Sequence, residues 1–393
     1  MPKSQLLLVI AAVAIPPGTV GAADEPLGAT VATVYEWGNR ELVSDAPSTV
    51  RLADGELLCT CPLWSRDDTA DRLYGDTPCV VLASSNHGET WKEIARIPFV
   101  AGKLLLRNDR VYFIGAGVNR KTFRVTASSD GGKTWSEPTV LRNDGTYAAS
   151  TGWVVRDDTL YWAFDDSGTP AHNRKVIAAA ADLRRDFLQP GAWRFSEAIK
   201  HPGIPQTFGD GSHDGGRWLE PNVICYENKL KVIVRLRISG RDSDAKVPNI
   251  AAICDLSDAN GELDLRFSHY CSVPGAQNHF HILHDPISRL FWMTSNAPTG
   301  VATRAWRGWG KERRILMLHY SIDGLNWFPA GCAAMWKKET QAYNYASLMI
   351  DGDDLLFVSR TAEHARNQHD NDKITFHRIP DFRQHALDLA PER

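Results

Sequence analysis

Short apolar runs rich in Val, Ile, Leu, Phe and Tyr recur along the whole chain, and many are cut by Asp-Gly or Asn-Asp turn pairs. No long window keeps apolar residues at the three-and-four spacing of a helix, so the pattern predicts an all-β protein. The runs group into pairs of hairpins. The first unit is STVRLADGELLCTC (48–61) with CVVLASSNHGETWKEIARI (79–97), whose Asp54-Gly55 pair suits a tight turn matched to strand twist. The second is KLLLRNDRVYFIGAG (103–117) with FRVTASSDGGKTWSEPTVL (123–141), and the third joins 151–166 to 175–193. The fourth joins 222–237 to 249–268, the fifth 279–296 to 313–327, and the sixth 345–360 to 372–383. Six hairpin pairs predict six four-stranded blades.

One turn recurs within these units. SSDGGKTW (128–135) is repeated more loosely as SSNHGETW (84–91) and SIDGLNW (321–327), each just after an apolar run, so one supersecondary unit has been copied around the molecule. Asp130 can accept hydrogen bonds from its own turn, Gly131 and Gly132 supply unusual backbone angles, and Trp135 is placed to pack beside the next blade. If this turn joins the third strand to the fourth, it shares a face of the disc with the turns between strands one and two. The opposite face then carries the loops between strands two and three and the start of each blade, and a propeller builds its site there.

That face collects a short set of candidates. It holds Ser44-Asp45-Ala46, the loop from Trp64 to Asp76, Trp218-Leu219-Glu220, Arg235 with Arg237, and His279. The loop from Ala297 to Arg314, Tyr343 with Tyr345, and the stretch from Arg360 to Asp372 complete it. Carboxylates, arginines, tyrosines, tryptophans and histidines are the mixture that grips sugars by stacking and polar contact.

Composition narrows the setting. The formal charge is −3, and Lys3 is the one charged residue in the first 23 positions, so neither a nucleic-acid-binding nor a membrane-hugging surface is expected. LLLVIAAVAI behind Lys3, followed by Val20-Gly21-Ala22, reads as a cleavable signal peptide over residues 1–23. The expectation is a single domain over 24–393, secreted or periplasmic, monomeric, and not inserted in a membrane. Seven cysteines leave at least one thiol unpaired in an oxidising compartment, and they read as buried small hydrophobes with at most one bridge among these three, from Cys59 or Cys61 to Cys79 on the next strand. Cys59 and Cys61 lack the second pair that a zinc site needs, and no third ligand can be named for the histidines of NHFHILHD, His279, His281 and His284. No metal or cofactor is expected.

The Ser-x-Asp-x-Gly-x-Thr-Trp turn resembles the Asp-box, or BNR repeat, of sialidases (neuraminidases), whose fold is a six-bladed β-propeller. The resemblance implies a propeller for most of residues 30 to 380. It also carries residue roles. EPNVICYENKLKVIVR (220–235) resembles the family's Glu-hairpin-Arg stretch, which implies that Glu220 activates the nucleophile and Arg235 binds a substrate carboxylate. RRILMLHYSIDG resembles the arginine ahead of the last Asp-box, pointing to Arg313 or Arg314. YASLMIDGDDL resembles the Tyr-Ser-x-Leu stretch that opens the sixth blade, making Tyr345 the implied nucleophile with Tyr343 as its rival. Asp71 stands at the implied acid/base spacing, in competition with Asp67, Asp68 and Asp76. Trp218, Arg360, His369 and Asp370 join the substrate-binding candidates from their place on the same face.

The implied chemistry is a retaining glycoside hydrolase in which tyrosine replaces the second carboxylate. Tyrosine is a weak nucleophile with a pKa near 10, so it needs a neighbouring carboxylate to take its proton. One position departs from the family: Asp45-Ala46-Pro47 stands where sialidases carry the arginine of Arg-Ile-Pro, so one arm of the three-arginine clamp is missing, with Arg40 and Arg51 as candidate substitutes. Plainer readings compete. Glu220 and Arg235 can be a structural ion pair, the two tyrosines ordinary strand residues, and Arg313 and Arg314 part of a solvated basic cluster. Two other functions remain open at this stage: a lyase on a uronate polymer using His369 or a tyrosine as base, and a glycan-binding propeller without activity.

Overall fold

The apolar runs fold into six antiparallel sheets standing as blades around one axis, in a computed structural model that describes residues 25–65, 73, 75–148, 151–167, 174–208, 217–237, 249–298 and 312–389. Blade four is the most regular, with strands Arg217–Tyr226, Lys229–Arg237, Ile250–Ala259 and Glu262–Ser272 in sequence order from the axis outward. Blades two and five repeat that order. Blade one starts with a broken inner strand, Leu42–Ser44 and Ser48–Arg51, and blade three with Tyr147–Ala148 and Val154–Arg156. The protein is a six-bladed β-propeller.

Ring closure corrects one detail of the sequence reading. Blade six takes its outermost strand from the start of the described chain: Ala29–Glu36 pairs antiparallel with Lys373–Ile379, while Asp381-Phe382-Arg383 turns away into a short 3₁₀ segment. The ends of the propeller are therefore tied together in one sheet, which removes an open edge.

Packing explains why the runs were nearly continuous rather than alternating. Each blade is covered on both faces, and the six apolar clusters fall one at each blade interface. Along Leu57–Ser65, Leu57, Cys59, Cys61 and Leu63 face blade six, whereas Leu58 faces blade two. The same alternation overturns the candidate bridge. Cys79 lies opposite Pro62 in the ladder and joins the cluster facing blade two, on the other side of the sheet from Cys59 and Cys61. All seven cysteines are free thiols.

The repeated turns join strands three and four, as the sequence pattern required. Asp130 Oδ1 accepts from the amides of Lys133 and Thr134 at 3.1 and 2.9 Å, and Ser128 Oγ accepts from the Gly132 amide at 2.8 Å. The tryptophans pack on the preceding blade rather than the next one. Trp91 of blade one meets Phe376 of blade six edge-on at 5.6 Å, and Trp135 of blade two packs in the cluster shared with blade one. The turn glycine makes this approach feasible: at Gly88, φ is +89° and an added Cβ would lie 2.2 Å from the Phe376 ring. Gly88→Ala is expected to lower unfolding stability by about 1–3 kcal/mol in urea melts, through strain and a forced shift of Phe376.

Candidate active site

Two residues on the inner strands leave regular strand geometry in the same way. In blade four the ladder runs Leu219↔Arg235 and then Asn222↔Ile233, so Glu220 and Pro221 face a single partner residue. Blade six repeats this: Asn344↔Arg360 is followed by Ser347↔Val358, with Tyr345 and Ala346 in the bulge. Glu220 and Tyr345 both take left-handed backbone angles, φ 46° and 52°. A non-glycine residue held there costs about 1–3 kcal/mol, so the surrounding contacts must impose it. Bulges of this kind re-aim side chains, and here they turn Glu220 and Tyr345 towards each other.

The two meet over the channel. The Tyr345 hydroxyl donates to Glu220 Oε1 at 2.8 Å, and Arg235 Nη1 donates to Glu220 Oε2 at 2.6 Å. Arg235 Nη1 also lies 3.3 Å from the Tyr345 hydroxyl, and its Nε is fixed by the Gln277 carbonyl at 3.1 Å. From below, the Glu220 amide donates to Asp165 Oδ1 at 3.0 Å, and Asp165 in turn binds Arg174. The Tyr345 ring is covered on several sides. His279 stacks on it at 4.5 Å, while the guanidinium carbons of Arg360 and Arg313 lie 4.4 and 5.6 Å from its centroid. His369 meets the ring edge-on at 6.1 Å, with its Nδ1 3.1 Å from Asp370 Oδ1.

Burial raises the Glu220 carboxyl, but the Arg235 charge, His279 and hydrogen bonds from Arg235 and Tyr345 outweigh it and bring the pKa down to about 2. Burial and the Glu220 charge push the Tyr345 phenol up, against the pull of three arginines. Arg313 is lowered to about 10, chiefly by burial and also by the like charges of Arg235 and Arg360. Crowding by its surroundings and the charges of Arg313 and Arg360 lower His369 to about 4, against the pull of Asp370, although 41% of its side chain stays exposed. Three guanidinium groups thus converge on one tyrosine; among the described residues Glu220 is the carboxylate that touches the tyrosine hydroxyl, with Asp370 behind His369, and an anion would relieve the remaining positive charge.

The predicted residues divide clearly. Glu220, Arg235, Arg313, Tyr345, Arg360, His369 and Asp370 come together. Trp218 does not: it is fully buried between blades three and four, against Phe267 and His201. Tyr343 is also packed between blades, stacked on Trp336 at 5.3 Å and edge-on to His377, so Tyr345 alone of the pair reaches Glu220. The cause is the bulge, which breaks the strand alternation that would have put Trp218 with Glu220 and Tyr343 with Tyr345. Arg314 stands aside, half-buried and 4.0 Å from Glu312. Asp71, Asp67 and Asp68 lie outside the described residues, and Asp76 is exposed.

Asp45 does not leave its gap empty. It pairs with Arg120 of blade two at 2.8 Å, and Arg120 lies over the Trp64 ring. Arg40 is exposed, and Arg51 pairs with Asp351 on the turn face, so neither substitutes for the missing arginine. Arg360, from the second strand of blade six, is the third guanidinium beside Tyr345. The three histidines of NHFHILHD have separate partners: His279 the Tyr345 ring, His281 the Leu348 amide and His284 the Phe291 ring. Asp165, Arg174 and Gln277 were missed. Asp165 had a findable signal, because it lies within two residues of the end of the second strand of blade three, as Arg235 and Arg360 do in theirs.

At the level of sequence, no family model and no curated protein matches the chain. Its fold is similar to that of a Penicillium chrysogenum α-L-arabinanase complexed with arabinobiose, at 12% identity over 90% of this chain and 97% of that one, TM-score 0.55. A GH93 α-L-arabinofuranosidase of Fusarium graminearum with arabinobiose matches at 12% identity, 90% and 98% coverage and TM-score 0.55. Trypanosoma rangeli sialidase with sialic acid matches at 15% identity over 92% of this chain and 60% of that one, TM-score 0.55. The architecture is therefore one that these glycoside hydrolases share.

The ion pair has a direct thermodynamic signature. Arg235→Met removes the ion-pair partner of the buried Glu220 and is expected to cost about 3–5 kcal/mol, most of it recovered by adding Glu220→Leu. Because Glu220 sits below its ordinary value of 4.5, its contribution is complete above pH 4.5 and lost as pH falls towards 2. Urea melts across that window should show a falling component in the wild type that is absent from the double variant.

Proposed function

We propose that this protein is an exported retaining glycoside hydrolase acting on terminal acidic sugars of an extracellular glycan. The observation that carries the reading is the contact between the Tyr345 hydroxyl and Glu220 Oε1, made by two left-handed bulges and ringed by Arg235, Arg313 and Arg360. The arabinanase and sialidase neighbours support a sugar substrate; the cluster of guanidinium groups favours an acidic one.

In the proposed reaction Tyr345 Oη attacks the anomeric carbon and its proton passes to Glu220 Oε1. Asp71 protonates the leaving oxygen, and the glycosidic bond breaks. Asp71 then takes a proton from water, which attacks the anomeric carbon; the bond to Tyr345 breaks and the phenolate recovers its proton from Glu220. A neutral nucleophile avoids repulsion from an anionic sugar. The resting Glu220 is a weak base because Arg235 holds it ionised. A substrate carboxylate lying among the arginines would offset that hold and raise the proton affinity of Glu220 when the nucleophile must be activated.

Aryl glycosides of sialic acid, uronic acids and neutral sugars distinguish the outcomes. Hydrolysis of an acidic glycoside is expected, with Tyr345→Phe lowering kcat by about a thousandfold or more. Arg360→Met should lower kcat/KM on that substrate by about 10- to 100-fold through loss of a charge-assisted contact. Full activity in Tyr345→Phe would contradict the mechanism. An unsaturated, ultraviolet-absorbing product would assign the site to elimination instead, and glycan binding without turnover would assign it to recognition.

A further inference from the structure

The channel continues beyond the catalytic cluster. Beneath it lies a cavity of about 380 Å³, lined by inner segments of five blades and reaching towards the turn face. Such a volume is within the range that holds small organic ligands. Its inner end is polar. Lys103, 1% exposed, donates from Nζ to Ser347 Oγ at 2.6 Å across the channel. A protonated lysine has three donors, so two remain beyond this bond.

No described carboxylate forms an ion pair with Lys103. Asp45, whose charge acts on it, is held by Arg120. Beside it His281 Nδ1 accepts from the Leu348 amide at 3.0 Å, which leaves the proton of the neutral ring on Nε2 as a donor. Gly152 keeps that wall clear, since an added Cβ would lie 2.4 Å from the Ile282 carbonyl and 3.4 Å from His281 Nε2. Towards the turn face the walls are mainly apolar, with Val50, Leu106, Leu283 and Ile350 half-buried around the cavity and the charge of Arg51 taken up by Asp351.

A cationic head and donor at the inner end, with mainly apolar walls towards the turn face, match one ligand chemistry. We propose that this axial cavity is a second ligand site, separate from the sugar pocket, that takes a small aliphatic carboxylate with its carboxyl group at Lys103 and its alkyl chain along the walls. A buried ammonium without a counter-ion is costly, and burial brings Lys103 down to about 7. A bound carboxylate supplies the missing charge.

Calorimetric titration of the purified protein at pH 6 with acetate, butyrate, inorganic phosphate and chloride tests the assignment. Butyrate should bind one site about tenfold tighter than acetate, the gain of two buried methylene groups. Lys103→Met should weaken butyrate at least tenfold, and Leu106→Trp, which fills the cavity with the lysine intact, should do the same. Arg360→Met should leave it unchanged. A cooperative unfolding transition in each variant excludes misfolding as the cause. Absence of butyrate binding in the wild type overturns the proposal, as does undiminished binding in a folded Lys103→Met or Leu106→Trp protein. Loss in Arg360→Met alone would place the carboxylate in the sugar pocket. Phosphate or chloride binding as tightly as butyrate would show that the apolar walls contribute nothing.

Discussion

The buried triad of Arg235, Glu220 and Tyr345 is the constraint around which the site is arranged. Its members come from blades four and six, and two of them sit in left-handed bulges that no local preference supports. The backbone strain is offset by contacts on every side: Asp165 binds the Glu220 amide, Gln277 fixes Arg235, and His279 covers the Tyr345 ring. These supports come from blade three and from the segment leading into blade five. The ring of blades must therefore be closed for the triad to form, and pairing of Ala29–Glu36 with Lys373–Ile379 gives that closure.

Charge balance then gives the site its direction. Among the described residues, Glu220 is the carboxylate in contact with Tyr345, around which three arginines gather, and Arg313 is held below its ordinary range partly by its cationic neighbours. Such a cluster is least strained with an anion present, so affinity for an acidic sugar and activation of Glu220 would arise from the same electrostatics. The pairing of Asp45 with Arg120 fits this picture. Asp45 of blade one is neutralised from blade two, while Arg360 reaches the Tyr345 ring from blade six.

Much of this was legible in the chain because strand period and turn chemistry are local. The Ser-x-Asp turns marked one face, so the ends of second strands and starts of blades had to mark the other, and Glu220, Arg235, Arg360 and Tyr345 fell out of that sorting. Trp218 and Tyr343 were misplaced because a bulge inserts one residue and changes which side chains share a face, and neither WLEPN nor YNYAS announces it. The Cys79 pairing failed through register, which is invisible without the ladder. Lys103 and Ser347 lie 244 positions apart in sequence, and only the closed ring brings them together.

In the proposed reaction Tyr345, not Glu220, forms the bond to the sugar. Peptide mass spectrometry after incubation with a fluorinated acidic glycosyl fluoride, which slows release of the intermediate, tests it most directly. A glycosyl adduct on the peptide carrying Tyr345, at the phenolic oxygen, is the expected result. An adduct on Glu220, or turnover that proceeds by inversion with no adduct on any residue, would contradict it.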